Sequence, residues 1–194
     1  MVSVGCGVAV SAPAFAAAAI SPASLVAHPN ELAGFATAKV NLRSATSASR
    51  YAKVVLGESP REARKEVAKL KRKGFQEGVQ ELLTSPQGEA LSTGLVLGSA
   101  RFAKQELLAS LSESLKAQGK VPIKRFTIAA IPGSSGFTAA QAGHPGGAAN
   151  VLFSSGRCVF LVGNYLRKSP EAQLGIAPVA GATALYQRVK SLCV

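Results

Sequence analysis

Val151-Leu152-Phe153-Ser154-Ser155-Gly156-Arg157-Cys158-Val159-Phe160-Leu161-Val162 decides the fold class of this 194-residue chain. Two apolar runs flank the turn-forming stretch Ser154 to Arg157, which is the pattern of a β-hairpin. The second run has no polar alternation, so its strand should be covered on both faces and lie centrally in a sheet.

Outward from the hairpin, Phe126 to Ile131 reads as a buried strand stopped by Pro132-Gly133, with a glycine-rich loop from Pro132 to Asn150. On the C-terminal side, Ala182, Leu185, Val189 and Leu192 share one helical face, and that helix would carry Cys193 back towards the sheet. Further upstream, Ser59-Pro60-Arg61-Glu62 is a capping box with Pro at the first helical position, and Gly74 sits where a C-cap glycine ends a helix. The spacing therefore predicts a helix over Ser59 to Gly74, and a second over Ser99 to Gln118 with Ala103, Leu107, Leu111 and Leu115 on its inner stripe. Ser85 to Gly88 reads as a turn and Leu91 to Leu97 as a strand. The register after Phe75 is ambiguous, and Glu31 to Leu56 suggests loose helical pieces. Strands and helices together predict a single α+β domain over residues 31–194.

Charge excludes whole classes of chemistry. Every one of the ten acidic residues is Glu, which rules out aspartate-containing triads, aspartyl-phosphate chemistry and Asp-ligated calcium loops. The net charge of +12 is concentrated towards the C-terminus, where Glu171 alone faces nine Lys or Arg. Such a field attracts polyanions. The basic run Lys69, Lys71, Arg72, Lys73 is a candidate contact for an anionic lipid surface or wall polymer, or simply a solvated helix end that suits the helix dipole.

Residues 1–16 carry no charge and run through an apolar segment to Ala14-Phe15-Ala16, which resembles the end of a secretory leader that lacks its basic start. The expectation is a signal peptide over 1–16, with a true start upstream of Met1, followed by a mobile linker over 17–30. A packed N-terminal strand is the alternative, and a lipoprotein reading is weakened by Ser3 where a lipobox has Leu. Cleavage would discard Cys6 and leave Cys158 and Cys193, an even pair suited to a disulfide in an oxidising compartment. The alternative is two buried free thiols.

Catalytic motifs fail one by one. Gly136-Phe137-Thr138 lacks the lysine of a phosphate loop, and Gly133-Ser134-Ser135-Gly136 misplaces the second glycine of a nucleophile elbow. Only His28 and His144 occur, too few for a histidine metal site. No cofactor is expected, and specific nucleic-acid recognition lacks interleaved aromatics.

Leu70-x-x-x-Gly74-Phe75, Ile131-Pro132-Gly133 and Asn150 to Gly156 together resemble exported actinobacterial proteins of the LpqN and PsbP-like α+β kind. The resemblance implies an antiparallel sheet with helices packed on one face, and a non-enzymatic envelope or sensor-type domain. Three functional readings follow: an exported binding or sensor module, a small hydrolase using Ser135 or Cys158 with His144, and an electrostatic adaptor acting through Lys69, Lys71, Arg72 and Lys73.

Overall fold

The structure, a computed structural model, describes residues 20–140 and 145–194; the leader expected over 1–16, the first residues of the expected linker, and His144 lie outside them. Its centre is a seven-stranded antiparallel sheet. In chain order the strands are β1 (Lys39–Ala45), β2 (Glu77–Ser85), β3 (Gly88–Val96), β4 (Ile123–Phe126), β5 (Ser135–Ala139), β6 (Gly147–Ser155) and β7 (Cys158–Leu166). In space they run β1-β2-β3-β7-β6-β5-β4. The β6–β7 hairpin turns at Gly156 with φ +49, and β7 occupies the middle of the sheet, as its unbroken apolar run requires. The α+β class and the antiparallel sheet stand.

The helices are α1, an α-helical turn at Ala48–Arg50 that continues as a π-helical turn over Tyr51–Val55; α2 (Pro60–Arg72); α3 (Ala100–Ala117); α4 (Glu171–Leu174); and α5 (Ile176–Val189). Ser59 caps α2 by accepting the Glu62 N–H and donating to the Glu62 carboxylate at 2.6 Å. Gly74 closes it at φ +65, with the Phe75 N–H reaching back to the Leu70 carbonyl at 3.1 Å, as in a Schellman ending.

Where helices were expected on one face of the sheet, they cover both. Leu152 and Val159 pack with Leu70, Ala103, Leu107 and Tyr51, whereas their chain neighbours Val151, Phe153 and Phe160 pack with Ala182, Leu185 and Val189. Adjacent strand residues point to opposite faces, so α1 to α3 lie on one side and α5 on the other. This follows from strands apolar on both faces, which need two covers.

Three other expectations are corrected. The segment over 17–30 is no linker from residue 22 onward: Leu25, Val26 and Ala27 are fully buried in the core on the α5 side. The Ala27 N–H donates to Ser92 Oγ at 2.8 Å, and the Arg188 guanidinium donates to the Ser24 and Val26 carbonyls and to Glu31. Gly94 makes this approach feasible, because a Cβ there would collide with the Leu25 backbone. The helical pieces expected over Glu31 to Leu56 are in part the edge strand β1. The buried strand expected at Phe126 to Ile131 ends at Phe126; beyond it the Ser134 hydroxyl takes up the Ile128 N–H at 2.9 Å, and Ile131 enters the core from a loop.

Candidate functional site

Cys158 and Cys193 form a disulfide with Cα atoms 5.7 Å apart, both fully buried. The C-terminal segment is pressed against the hairpin turn, where Arg157 N–H donates to the Cys193 carbonyl at 2.9 Å. A Cβ on Gly156 would strike that same carbonyl, so the turn glycine serves both the left-handed backbone and the clamp. Oxidised Cys158 is not available as the nucleophile of a hydrolase. Ser135 lies half-buried in β5, and the His144 expected to pair with it lies outside the described residues.

The expected anionic-surface contact is divided by the structure. Lys69 Nζ lies 3.0 Å from both Glu66 and Glu106, and Lys73 Nζ lies 2.5 Å from Glu106, a carboxylate only 3 % exposed. These two ammoniums bridge α2 to α3 and point inward, so only Lys71 and Arg72 of the run are exposed to solvent. Burial alone would push the Glu106 carboxyl up, but hydrogen bonding from Lys73 and the field of Lys69 hold it below its ordinary range. Lys69 is shifted the opposite way: burial disfavours its charge, yet Glu106 and Glu66 raise its pKa.

Beside this bridge lies a cavity of about 250 Å³ between the sheet and the α1–α3 layer. Gln80 on β2, Leu91, Thr93 and Leu95 on β3, and Leu161 on β7 form its floor. Tyr51, Leu56 and Glu58 close one side, with Glu66 and Lys69 from α2 and Glu106, Ser110 and Glu113 from α3 around the rest. Four of the chain's ten glutamates therefore meet at one small space.

One polar atom of its lining is buried without a partner, and the Tyr51 hydroxyl makes no hydrogen bond to another described residue. Tyr51 is only 2 % exposed and its ring is held flat over Gly78, where a Cβ would collide with it. Its phenol accepts and donates no hydrogen bond, and burial, reinforced by Glu66, Glu106 and Glu58, drives its pKa well above the usual tyrosine value. Glu58 Oε2 is occluded and likewise has no partner. Burial pushes the Glu58 carboxyl up, and Glu66 and Glu62 push it further, with Lys69 opposing. A buried polar atom left unpaired costs about 1–3 kcal/mol, so Glu58 Oε2 is held there at a cost to the fold.

A second, larger groove of about 670 Å³ opens at the β4–β5 edge between Lys124, Phe126, Thr138 and Ile176. Its one charged pair, Lys124 with Glu171 at 2.8 Å, is solvent-exposed. Size favours this groove, but chemistry favours the smaller cavity, whose lining brings together the buried Tyr51, the unpaired Glu58 carboxylate and three further glutamates. Sequence reasoning missed the cavity. One signal was present: Glu106 interrupts the apolar stripe Ala103, Leu107, Leu111 on the inward face of α3.

Among the described residues no helix is long and apolar enough to cross a membrane, and no group of three His, Cys, Asp or Glu is placed to hold a metal ion. No protein-family model matches the chain, and no curated protein matches it, so the LpqN and PsbP-like resemblance is not shown. Among solved structures, the chain is similar to the extracellular domain of PknH from Mycobacterium tuberculosis, with a TM-score of 0.45 and 10% identity over 78% of each chain. A likeness of that degree transfers neither residue roles nor a ligand.

Proposed function

We propose that this chain is an exported, non-enzymatic binding or sensor-type module of the cell envelope, and that it takes its ligand in the cavity between the sheet and α1 to α3. The observation that carries this reading is the pair Tyr51 and Glu58 in the cavity lining, a buried phenol and a carboxylate with an unpaired oxygen, beside the apolar residues Leu91, Leu95 and Leu161. Ligand sites characteristically combine such an apolar lining with a few convergent polar groups, although this one falls just below their usual range of about 300–1,000 Å³. Export is supported by the Cys158–Cys193 disulfide, which suits an oxidising compartment, together with the leader-like sequence over 1–16.

Each half of the reading has its own test. Amide resonances of ¹⁵N-labelled protein are followed while six-carbon solutes bearing an ammonium, hydroxyl or carboxylate head are added. Shifts at Leu91, Thr93 and Leu161 with any one of them support a ligand cavity; silence with all of them removes it. For export, intact mass of protein recovered from its native host before and after reduction should show Cys158 and Cys193 protected until reduction. Free thiols would overturn the compartment.

A further inference from the structure

We infer that the cavity recognises a small organic cation whose charged head carries N–H donors and whose body is apolar. This inference rests on the reading of the cavity as a ligand site and adds the chemistry of the ligand. Four side chains of the site already balance one another: Lys69 is shared between Glu66 and Glu106, and Lys73 is held by Glu106. What is left over is acidic. Glu58 and Glu113 line the same space, and no other described cation is placed among its walls.

The geometry of Lys69 shows the kind of group that fits. An ammonium there sits 3.0 Å from two carboxylates at once, and Glu58, whose Oε2 has no partner, lines the same space as a further acceptor. An anionic ligand would have to approach Glu58 and Glu113, which adds like-charge repulsion. A metal ion lacks its ligands, since no three acidic, histidine or cysteine side chains among the described residues are placed to hold one. The Tyr51 hydroxyl can accept from an N–H of the head while Glu58 accepts from another, which selects a hydrogen-bonding cation over a quaternary one. The apolar body follows from the floor, where Leu91 and Leu161 remain half exposed.

The chain's overall charge of +12 opposes cations at long range. That field is screened within about 8 Å at physiological salt, so the carboxylates lining the cavity dominate once the ligand has entered.

The test is a titration of the full chain at pH 7 with hexylamine, hexanol, hexanoate and trimethylhexylammonium, read from the amide shifts of Leu91, Thr93 and Leu161. Hexylamine is expected to bind at least about tenfold more tightly than each of the others, the worth of one charge-assisted hydrogen bond. Glu58→Gln should remove about tenfold of that affinity and leave hexanol unchanged; Glu58 lies half-exposed just before the α2 cap, so the fold should survive, as far-UV circular dichroism checks. Equal binding of hexanol or hexanoate, or an unchanged hexylamine affinity in Glu58→Gln, overturns the cation while leaving a ligand cavity in place. If none of the four probes moves those resonances, the cavity reading itself falls.

Discussion

The two faces of the sheet each bury a carboxylate, and the two are treated in opposite ways. On the α1–α3 face Glu106 receives Lys69 and Lys73 and is held below its ordinary pKa. On the α5 face Glu81 shares the side of Val79 and Leu83, is 4 % exposed, and has an Oε1 atom without a partner. Burial raises its pKa, and Glu31 raises it further. Other charges of the α5 face go into a latch: Arg188 fastens the N-terminal segment by its carbonyls and by Glu31; burial would raise the Glu31 carboxyl, but the bond from Arg188, the His28 N–H and the Arg188 charge together hold it below its ordinary pKa. The closed face is thus held by a disulfide, aromatic stacking of Phe153 on Phe160 at 4.9 Å, and a strapped segment. The open face is held by ion pairs around a gap. The clamp and the strap thus lie on one side of the sheet, and the glutamate-lined cavity on the other.

Removing the disulfide breaks the closed face hardest. The bond closes a 35-residue loop, so the pair Cys158→Ala with Cys193→Ala is expected to lose about 4 kcal/mol by the chain-entropy model. Urea unfolding measures it, and the parent protein under a strong reductant should fall to a similar midpoint. A loss below about 1 kcal/mol would mean that α5 and the strap hold this face without the clamp. Next in size is Arg188→Met. It leaves Glu31 without its cation and two carbonyls without donors, and is expected to cost about 2 kcal/mol, with earlier proteolytic cutting over residues 22–35. Unchanged cutting would show that burial of Leu25 and Val26 alone seats the strap.

Much of the fold was legible on both faces wherever its signals are local. The β6–β7 hairpin, the caps of α2 and α3, and the stripe of α5 each depend on residues within one or two turns of each other. The strap was not legible: Ala, Ser and Pro without periodicity read as a linker, and Leu25 becomes core only because Arg188, more than 160 residues away, and Gly94 receive it. Strand β1 was misread for a related reason. Its Lys39-Val40-Asn41-Leu42-Arg43 alternates polar with apolar, but the run is short, and as an edge strand its Val40 and Leu42 stay exposed, at 47 % and 43 %. The candidate site was hardest to see, because Tyr51, Glu58 and Glu106 come from three segments, each of which alone looks like an ordinary helix or helix start. Lys69 to Lys73 looked like a surface patch because the sequence cannot show that two of them turn inward.

A pH experiment sharpens the contrast between the two carboxylates. Glu81 keeps its proton to higher pH in the folded state than in the unfolded chain. Its ionisation therefore costs nothing below its ordinary value of 4.5 and weakens the fold as pH rises through the raised value. Glu81→Gln should then stabilise by about 1 kcal/mol at pH 7, with the gain gone by about pH 4. Glu106 has the opposite sign: its ion pairs support the fold above 4.5, and that support is lost as pH falls through its lowered value. Glu106→Gln should destabilise at pH 7 and converge with the parent in acid. A stabilising effect that does not depend on pH in Glu81→Gln would remove the titration and leave only packing.

Tyr51→Phe is the smallest change in stability and the most telling for the open face. In a closed core, deleting a buried hydroxyl that is hydrogen-bonded strands its partner and costs about 1–3 kcal/mol. The Tyr51 hydroxyl has no partner to strand, and the ring keeps its place over Gly78 and against Phe75 at 5.4 Å. The variant should therefore unfold within about 0.5 kcal/mol of the parent, or slightly later, while its affinity for hexylamine falls. Loss of stability above about 1 kcal/mol would mean that the hydroxyl has a structural partner, such as an ordered water, and that the open face is built for the fold like the other. Near-neutral stability with weakened hexylamine binding would mean that this hydroxyl, unused by the fold, serves a ligand.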